Sequence, residues 1–522
     1  MFIINKTVKK LSQLLMLIGS ISIIISFSLS NINQYSDKEI HSAVIEIEQK
    51  NQEQHKNNDI LRTKELTSCD TINNFTVKEK VIQRINNRYD SIYRTIIYQS
   101  VIDLEKKFEF HLTEHEIDQC TSYKKIEEKT IHYFHSKANR PWTSLLFNNY
   151  FFLGISVFAV FFIALQYVSE AAWSIVLKRI PEAVISFLPI TGIIMLIIMF
   201  SAAMHFGGNH IYHWMADGIM DKFLLDDSGN QILDEKGNPI LNSGYDKIIA
   251  GKEAFLNISF FLIRSIIYIL GWIYFGRKLK QLSLSEDKHG GISYYNKGIK
   301  TSSWFIVFFA VTSSVASWDW IMSIDTHWFS TLFGWYIFSE WAAIGFATIL
   351  LITLYLKRLG YLNHVNDSHV HDLGKWVFAF SLVWTYMWFS QFMLIWYSNI
   401  PEEVTYFNAR IEPETGYRFL FWFSMIINFV VPLLLLMSRD AKRHNGKLIF
   451  VCIIILIGHW INSFLLVAPG TLFAHGNIGF LEIGTGLGYF GLFMYVVFNS
   501  LKKVPLEVKH HPFLEESKHL HT

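Results

Sequence analysis

The sequence predicts an all-α, polytopic integral membrane protein with about ten transmembrane helices. Three observations carry that prediction. Hydrophobic residues make up 51% of the chain and charged residues only 17%, against roughly a quarter charged in soluble domains. Apolar runs of about 20 residues, the helix length that a bilayer core of about 30 Å demands, recur along the chain with few charges inside them. The connections between these runs alternate between strongly basic and nearly cation-free, as cytoplasmic and exported loops do. The net charge of +2 and the lack of any basic stripe interleaved with aromatics argue against a nucleic-acid partner. The lipid bilayer is the partner that the composition implies.

The first run, 11–30, follows Lys9 and Lys10 like a signal sequence, but no small-x-small cleavage site follows Ser30, so it reads as an uncleaved anchor. Residues 31–140 form the one sizeable polar region. The spacing predicts an amphipathic helix over 81–108, a looser helix over 110–135 and a linker before Ser68. Cys69 and Cys120 lie in this region, where a disulfide is chemically allowed. Nine further runs follow at 144–167, 183–203, 254–275, 302–317, 329–356, 375–398, 417–437, 448–467 and 482–501, and the remaining 504–522 form a tail. The run at 302–317 is short and is expected to continue through Trp320, placing Asp319 just inside its end. Between 205 and 253, the stretch DDSGNQILDEKGNPILNSG reads as a small hairpin. Pro189 and Pro432 read as kinks.

The cation pattern orients the chain. One set of connections carries Lys9, Lys10, Arg277, Lys278, Lys442 and Lys503 among others, whereas the opposite set carries only Lys222, Lys236, Lys247, Lys252, Arg410 and Arg418. Both termini are therefore expected in the cytoplasm.

Three cysteines, with no C-x-x-C-H and no cysteine cluster, leave this chain unable to ligate covalent haem, an iron-sulfur cluster or a cysteine-bound zinc by itself. His459 is the sole histidine well inside a run, so a bis-histidine haem lacks its second ligand. A lone buried histidine is more often a hydrogen-bonded core residue than a ligand, although intramembrane ionisable groups mark function more often than soluble ones do.

Helical rise puts Arg264 about 15 Å and Glu340 about 16 Å below the same end of their runs. A charge at a helix centre costs about 2.5 to 3.5 kcal/mol on insertion scales. Pairing offsets that cost, so Arg264 and Glu340 are expected to face one cavity and pair. The plainer alternative is a structural ion pair, or a neutral Glu340 bonded to a neighbouring helix.

In SWDWIMSIDTHWFSTLFGWY, Asp319, Asp325 and His327 sit among Trp318, Trp320, Trp328 and Trp335. An interfacial aromatic belt accounts for such a stretch. A functional reading competes with it: carboxylates and a histidine at a membrane surface exchange protons, and aromatic rings hold a flat ring such as a quinone. Trp320 and Trp328 here, with Trp388 and Gln391 in TYMWFSQF, are the candidates for lining that cavity.

The same stretch, with HVNDSHVHDLGKW, TYMWFSQFMLIWYSNIPEEVTYF, NFVVPLLLLMSRD and HPFLEESKHLH, resembles the second quinone-binding membrane subunit of bacterial alternative complex III, a quinol:cytochrome c oxidoreductase. The wider family is that of polysulfide-reductase-type and nitrite-reductase-D-type membrane subunits. The resemblance covers about residue 144 to the C-terminus. It implies two four-helix bundles with flanking helices, no redox centre in this chain, and quinol as substrate. It also implies a bacterial inner-membrane location beside an iron-sulfur subunit, haem c subunits and a paralogous membrane subunit, with electrons passing to cytochrome c or directly to a terminal oxidase. The matching positions Asp319, Asp325, His327, His459 and Glu482 would belong to a proton path or a quinone-proximal cavity.

Residues 31–140 and 226–241 depart from the pattern. Asn462 stands one turn from His459 where relatives are expected to carry an aspartate, and Glu340 is peculiar to this chain; a carboxylate on another helix would then substitute. Two other classes stay open: a proton-conducting or structural scaffold without its own quinone site, and a secondary transporter. A transporter predicts helices broken at mid-membrane in two related halves, and no such pair is evident.

Overall fold

The computed structural model describes residues 2–30, 35–71, 75–216, 218–224, 230–233, 237–242 and 244–521. The chain divides into two compact units, one of residues 1–29 with 139–522 and the other of residues 30–138.

The larger unit is an all-α polytopic membrane protein. Ten helices among the described residues are long and apolar enough to cross a bilayer: Lys6–Ser30, Tyr123–Val168, Ile175–Ala203, Ile258–His289, Ile292–Ile324, Phe333–Arg358, Asp367–Ser398, Arg418–Leu436, Asn445–His475 and Phe480–Lys502, called below the first to tenth spans. Helices suit that setting because every backbone N–H finds its acceptor within the same segment. The fifth span's helix runs through Trp320, as the sequence predicts. Pro189 follows a 3-10 turn at Ile185–Phe187 in the third span, and Pro432 follows a single π-helical turn, Ile426–Val430, in the eighth.

The sixth and second spans are the most enclosed. They meet where small residues admit large ones: the Gly345 Cα faces Phe158 of the second span, and Gly154 faces Trp341 of the sixth. Around the second, the third packs on the fourth and the fourth on the fifth. On the other side the sixth, seventh, eighth and ninth close a ring, each packing on the next and the ninth on the sixth. These are two four-helix bundles, with the first and tenth spans flanking them.

The flanking pair meets along a seam of small residues. A Cβ on Gly488 would lie 2.6 Å from the Gly19 Cα, and one on Gly484 would lie 1.9 Å from Ser22 Oγ. This is the close small-residue contact by which helices associate in lipid. Gly488→Leu is expected to cost about 1 to 3 kcal/mol by overpacking, seen as a lower unfolding midpoint of the detergent-solubilised chain. Equal midpoints for the variant and the parent would show that the first span does not sit there.

Residues 504–521 fold over one end of the larger unit. Lys509 N donates to Asp287 Oδ1 at 2.9 Å, Asn366 Nδ2 donates to Leu520 O at 2.7 Å and Val176 N donates to Ser517 Oγ at 3.3 Å. His511 packs against Tyr295 and Tyr167, and burial, assisted by the Lys178 ammonium, pushes its imidazole down to about 3.

The smaller unit contains helices Asp37–Ser68, Phe75–Phe108 and Glu114–Gln119 and the beginning of Tyr123–Val168. Ile40, Val44 and Ile47 pack with Ile97, Val101 and Leu104 in its core. The linker expected before Ser68 is instead a helix. Its apolar stripe covers only the first third, too short to show as a period, and a Ser36–Glu39 capping box starts it. Cys69 and Cys120 are free; their thiols donate to the carbonyls of Glu65 and Glu116 at 3.3 and 3.2 Å. Burial raises the Cys120 thiol to about 11.

The expected hairpin is represented by two isolated antiparallel bridges, Phe223 with Leu241 and Leu233 with Pro239. Residues 225–229 and 234–236, which include its turns, lie outside the described residues.

Candidate functional site

Arg264 does not pair with Glu340. Its guanidinium grips Asp319, with Nε 2.9 Å from Oδ2 and Nη2 2.7 Å from Oδ1, and Tyr268 Oη donates to the same Oδ2 at 3.0 Å. The rings of Phe255 and Phe260 cover the guanidinium at 4.0 and 4.1 Å. The expected pairing rests on depth along each helix, and depth says nothing about rotation around the helix axis, which decides which neighbour a side chain meets. The fourth and fifth spans are direct neighbours, so Asp319 is the carboxylate within reach. Trp320 is a packing residue: its Nε1 donates to Ser265 Oγ at 2.9 Å, and its carbonyl accepts from Tyr212 Oη at 2.8 Å.

Glu340 lies fully inside the second bundle. Its carboxylate accepts from Asn462 Nδ2 and Ser463 Oγ, each at 2.9 Å, and Asn462 Oδ1 in turn accepts from Tyr336 Oη at 2.8 Å. Tyr336 precedes Glu340 by one turn of the sixth span, and Asn462 and Ser463 are adjacent on the ninth. Glu340 thus places a carboxylate beside the Asn462 amide from another helix.

Tyr336 and Asn462 also line a narrow, enclosed cleft of about 30 Å³ with Trp388, Gln391, Tyr406 and Arg410, all of them buried. Tyr406 and Arg410 come from the short helix Pro401–Ile411 between the seventh and eighth spans. Arg410 Nε donates to Leu465 O at 3.1 Å, and its guanidinium lies 3.5 Å from the Tyr406 ring centre. Tyr406 stacks on Trp328 at 3.7 Å and 10°, so Trp328 supports the cleft from behind. Burial raises the Tyr406 phenol above its ordinary range, which keeps it a neutral donor. The cleft thus offers an aromatic wall, a cation, an amide and two phenols at one end of a hydrogen-bond chain that terminates on a buried carboxylate.

The other candidates lie apart from this chain. His459, one turn before Asn462, is completely buried and edge-on to Trp384 at 4.9 Å. Neither of its ring nitrogens has a hydrogen-bond partner among the described residues, so it is not the satisfied core histidine that is commonest. Glu482 binds Arg140, with Nε 2.9 Å from Oε1, and accepts from Gly479 N at 2.8 Å, capping the tenth span. Asp325 is half-buried in the turn before the sixth span.

His327 is exposed and reaches Asp246 of the preceding loop, its Nε2 2.6 Å from Oδ2. Burial alone would raise the Asp246 carboxyl, but the Ile249 amide, His327 and the Ile248 amide outweigh it and hold Asp246 below its ordinary 3.8. A carboxyl lowered in this way adds stability above its ordinary range and loses it as pH falls through the lower folded value. Pepsin is therefore expected to cut residues 244–257 faster as pH drops from about 5 to about 3. The effect is small, roughly 1 kcal/mol or less for so exposed a pair, and Asp246→Asn should abolish this pH dependence.

No family model matches the chain, and no curated protein matches it.

Sequence reasoning found Trp388, Gln391 and Glu340 and missed Tyr336, Tyr406 and Arg410. The signal for the last two was present: Tyr406 and Arg410 are spaced i, i+4 in EEVTYFNARI, which places them on one face of a helix.

Proposed function

We propose that this chain is a membrane subunit of a quinol:cytochrome c oxidoreductase of the alternative complex III type, in a bacterial inner membrane with both termini cytoplasmic. It helps to build the quinol-oxidising sector beside haem c, iron-sulfur and paralogous membrane subunits. One observation carries this reading: the cleft of Tyr336, Trp388, Gln391, Tyr406 and Arg410 opens onto a hydrogen-bond chain ending at Glu340. Oxidising a quinol removes two protons and two electrons. The electrons leave to cofactors held by other subunits. Within this chain, the narrow cleft must widen to admit the ring; Trp388 then offers a face for it, Gln391 and the phenols offer polar partners for its hydroxyls, and Glu340 provides a proton acceptor beyond the Asn462 amide that orients it.

A second reading, a scaffold without its own quinone site, draws on a different observation. Asp319, His327 and Glu482 are each held in a tie to a neighbouring segment, as structural residues are.

Photolabelling the intact purified complex with an azido-quinone decides between them. Label on peptides covering 328–336, 384–396 and 403–411 is the expected result. Label confined to other subunits would remove the quinone site from this chain and leave the scaffold reading.

A further inference from the structure

We propose that the outward face between the sixth, ninth and tenth spans is a binding site for one acyl chain of an anionic phospholipid. A groove of about 530 Å³ runs there, walled by Ile453, Ile457, Leu487, Phe490 and Phe498 among others. That volume lies within the roughly 300 to 1,000 Å³ of small-molecule sites. Along the tenth span the groove extends over 483–498, about 22 Å at helical rise, which is the reach of an extended hydrocarbon chain and far more than a ring needs.

The lining also selects hydrocarbon. Along its length two polar groups are spent internally: Trp460 Nε1 donates to Asn148 Oδ1 at 2.7 Å, and Thr348 Oγ1 donates to Ile344 O at 2.8 Å; the Tyr355 phenol stands at the groove's end. Neither of the two is left to meet a quinone carbonyl, so the length of the groove suits a tail. The one polar lining group without an internal bond among the described residues, Tyr355, sits at the end where a headgroup would lie.

Charge at one end identifies the headgroup. The groove ends near Tyr355 and Phe498. Arg358 follows Tyr355 by three residues, and Lys502 and Lys503 follow Phe498 by about one turn; Lys447 precedes Ile453 by six residues, about 9 Å. Arg358, Lys447, Lys502 and Lys503 are all exposed. Phe151, Phe152 and Ile155 of the second span form the floor of the groove, and each of the three helices that wall it carries an exposed cation at the same end, where a headgroup attached to the bound tail must lie; such clusters attract anionic lipid.

The test places the full-length chain in nanodiscs containing phosphatidylglycerol or phosphatidylcholine with a diazirine in the acyl chain, and maps the photoadducts. Adducts are expected to concentrate on 453–457 and 483–498, with phosphatidylglycerol favoured about fivefold for each lysine that reaches the headgroup. Lys502→Gln with Lys503→Gln should lower that preference. Ile457→Trp with Leu487→Trp should remove the adducts for both lipids, because both positions are open to the groove at 51% and 37% exposure.

Three results would overturn the proposal: equal adducts for the two headgroups, adducts as dense on the lipid-facing Ile263, Ile267 and Leu270 of the fourth span, or displacement by a long-chain quinone. The last would assign the groove to an isoprenoid tail. The unsubstituted chain alone decides all three, so a variant that fails to fold leaves the test intact.

Discussion

Arg264→Met lowers the stability of the chain by about 3 to 5 kcal/mol, because it leaves the Asp319 carboxylate buried without its cation. Asp319→Leu does the same to Arg264, with Tyr268 Oη losing its acceptor as well. Removing both charges together, as Arg264→Met with Asp319→Leu, recovers most of the loss, since an apolar replacement of a buried ion pair is often neutral. Unfolding midpoints of the three purified proteins measure this. Additive losses would mean that the two side chains do not act as a pair. The double variant also separates two roles for Asp319. Quinol oxidation surviving in a stable double variant makes the pair a strut between the fourth and fifth spans; its loss makes Asp319 a proton carrier as well, which is what the family resemblance implies.

Glu340→Gln is the second large effect. The amide keeps the shape and one acceptor for Asn462 and Ser463 but holds no exchangeable carboxyl proton. Turnover of the purified complex with quinol and cytochrome c should fall by about 100-fold or more, the usual range for losing a general base, while the unfolding midpoint moves little. Glu340→Leu orphans the Asn462 Nδ2 and Ser463 Oγ donors and adds about 1 to 3 kcal/mol of destabilisation for each buried group left unsatisfied. Full turnover in a folded Glu340→Gln variant would take Glu340 out of the proton route.

The ten spans were legible in the sequence because a bilayer rewards apolar length, a property that can be counted along the chain. Helix-to-helix contact was not legible in the same way. Arg264 and Glu340 were wrongly paired, because the angle around each helix is set by neighbours: Phe255, Phe260 and Tyr268 turn Arg264 towards Asp319. The helix Asp37–Ser68 was invisible for a related reason, since most of it is polar and only Ile40, Ala43, Val44 and Ile47 are buried. At the candidate site, Trp388, Gln391 and Glu340 could be named one by one, but their joining through Tyr336 and Asn462 depends on the ring closed by the sixth to ninth spans. Arg410 looked like an ordinary loop charge until Pro401–Ile411 proved to be a helix that carries it inward.

The seam between Gly19 and Gly488 has a consequence in time. The two glycines are about 470 residues apart, so a ribosome adding about 5 to 20 residues per second emits the second roughly half a minute to a minute and a half after the first. Throughout that interval the first helix has lipid where its partner will be, and the groove between its small residues stays open. An early helix waiting for a late one is exposed to every other helix inserting nearby, and Gly19, Ser22 and Ser26 are the features by which a wrong neighbour would be accepted. Correct assembly of this chain therefore depends on what occupies that face before the tenth span arrives.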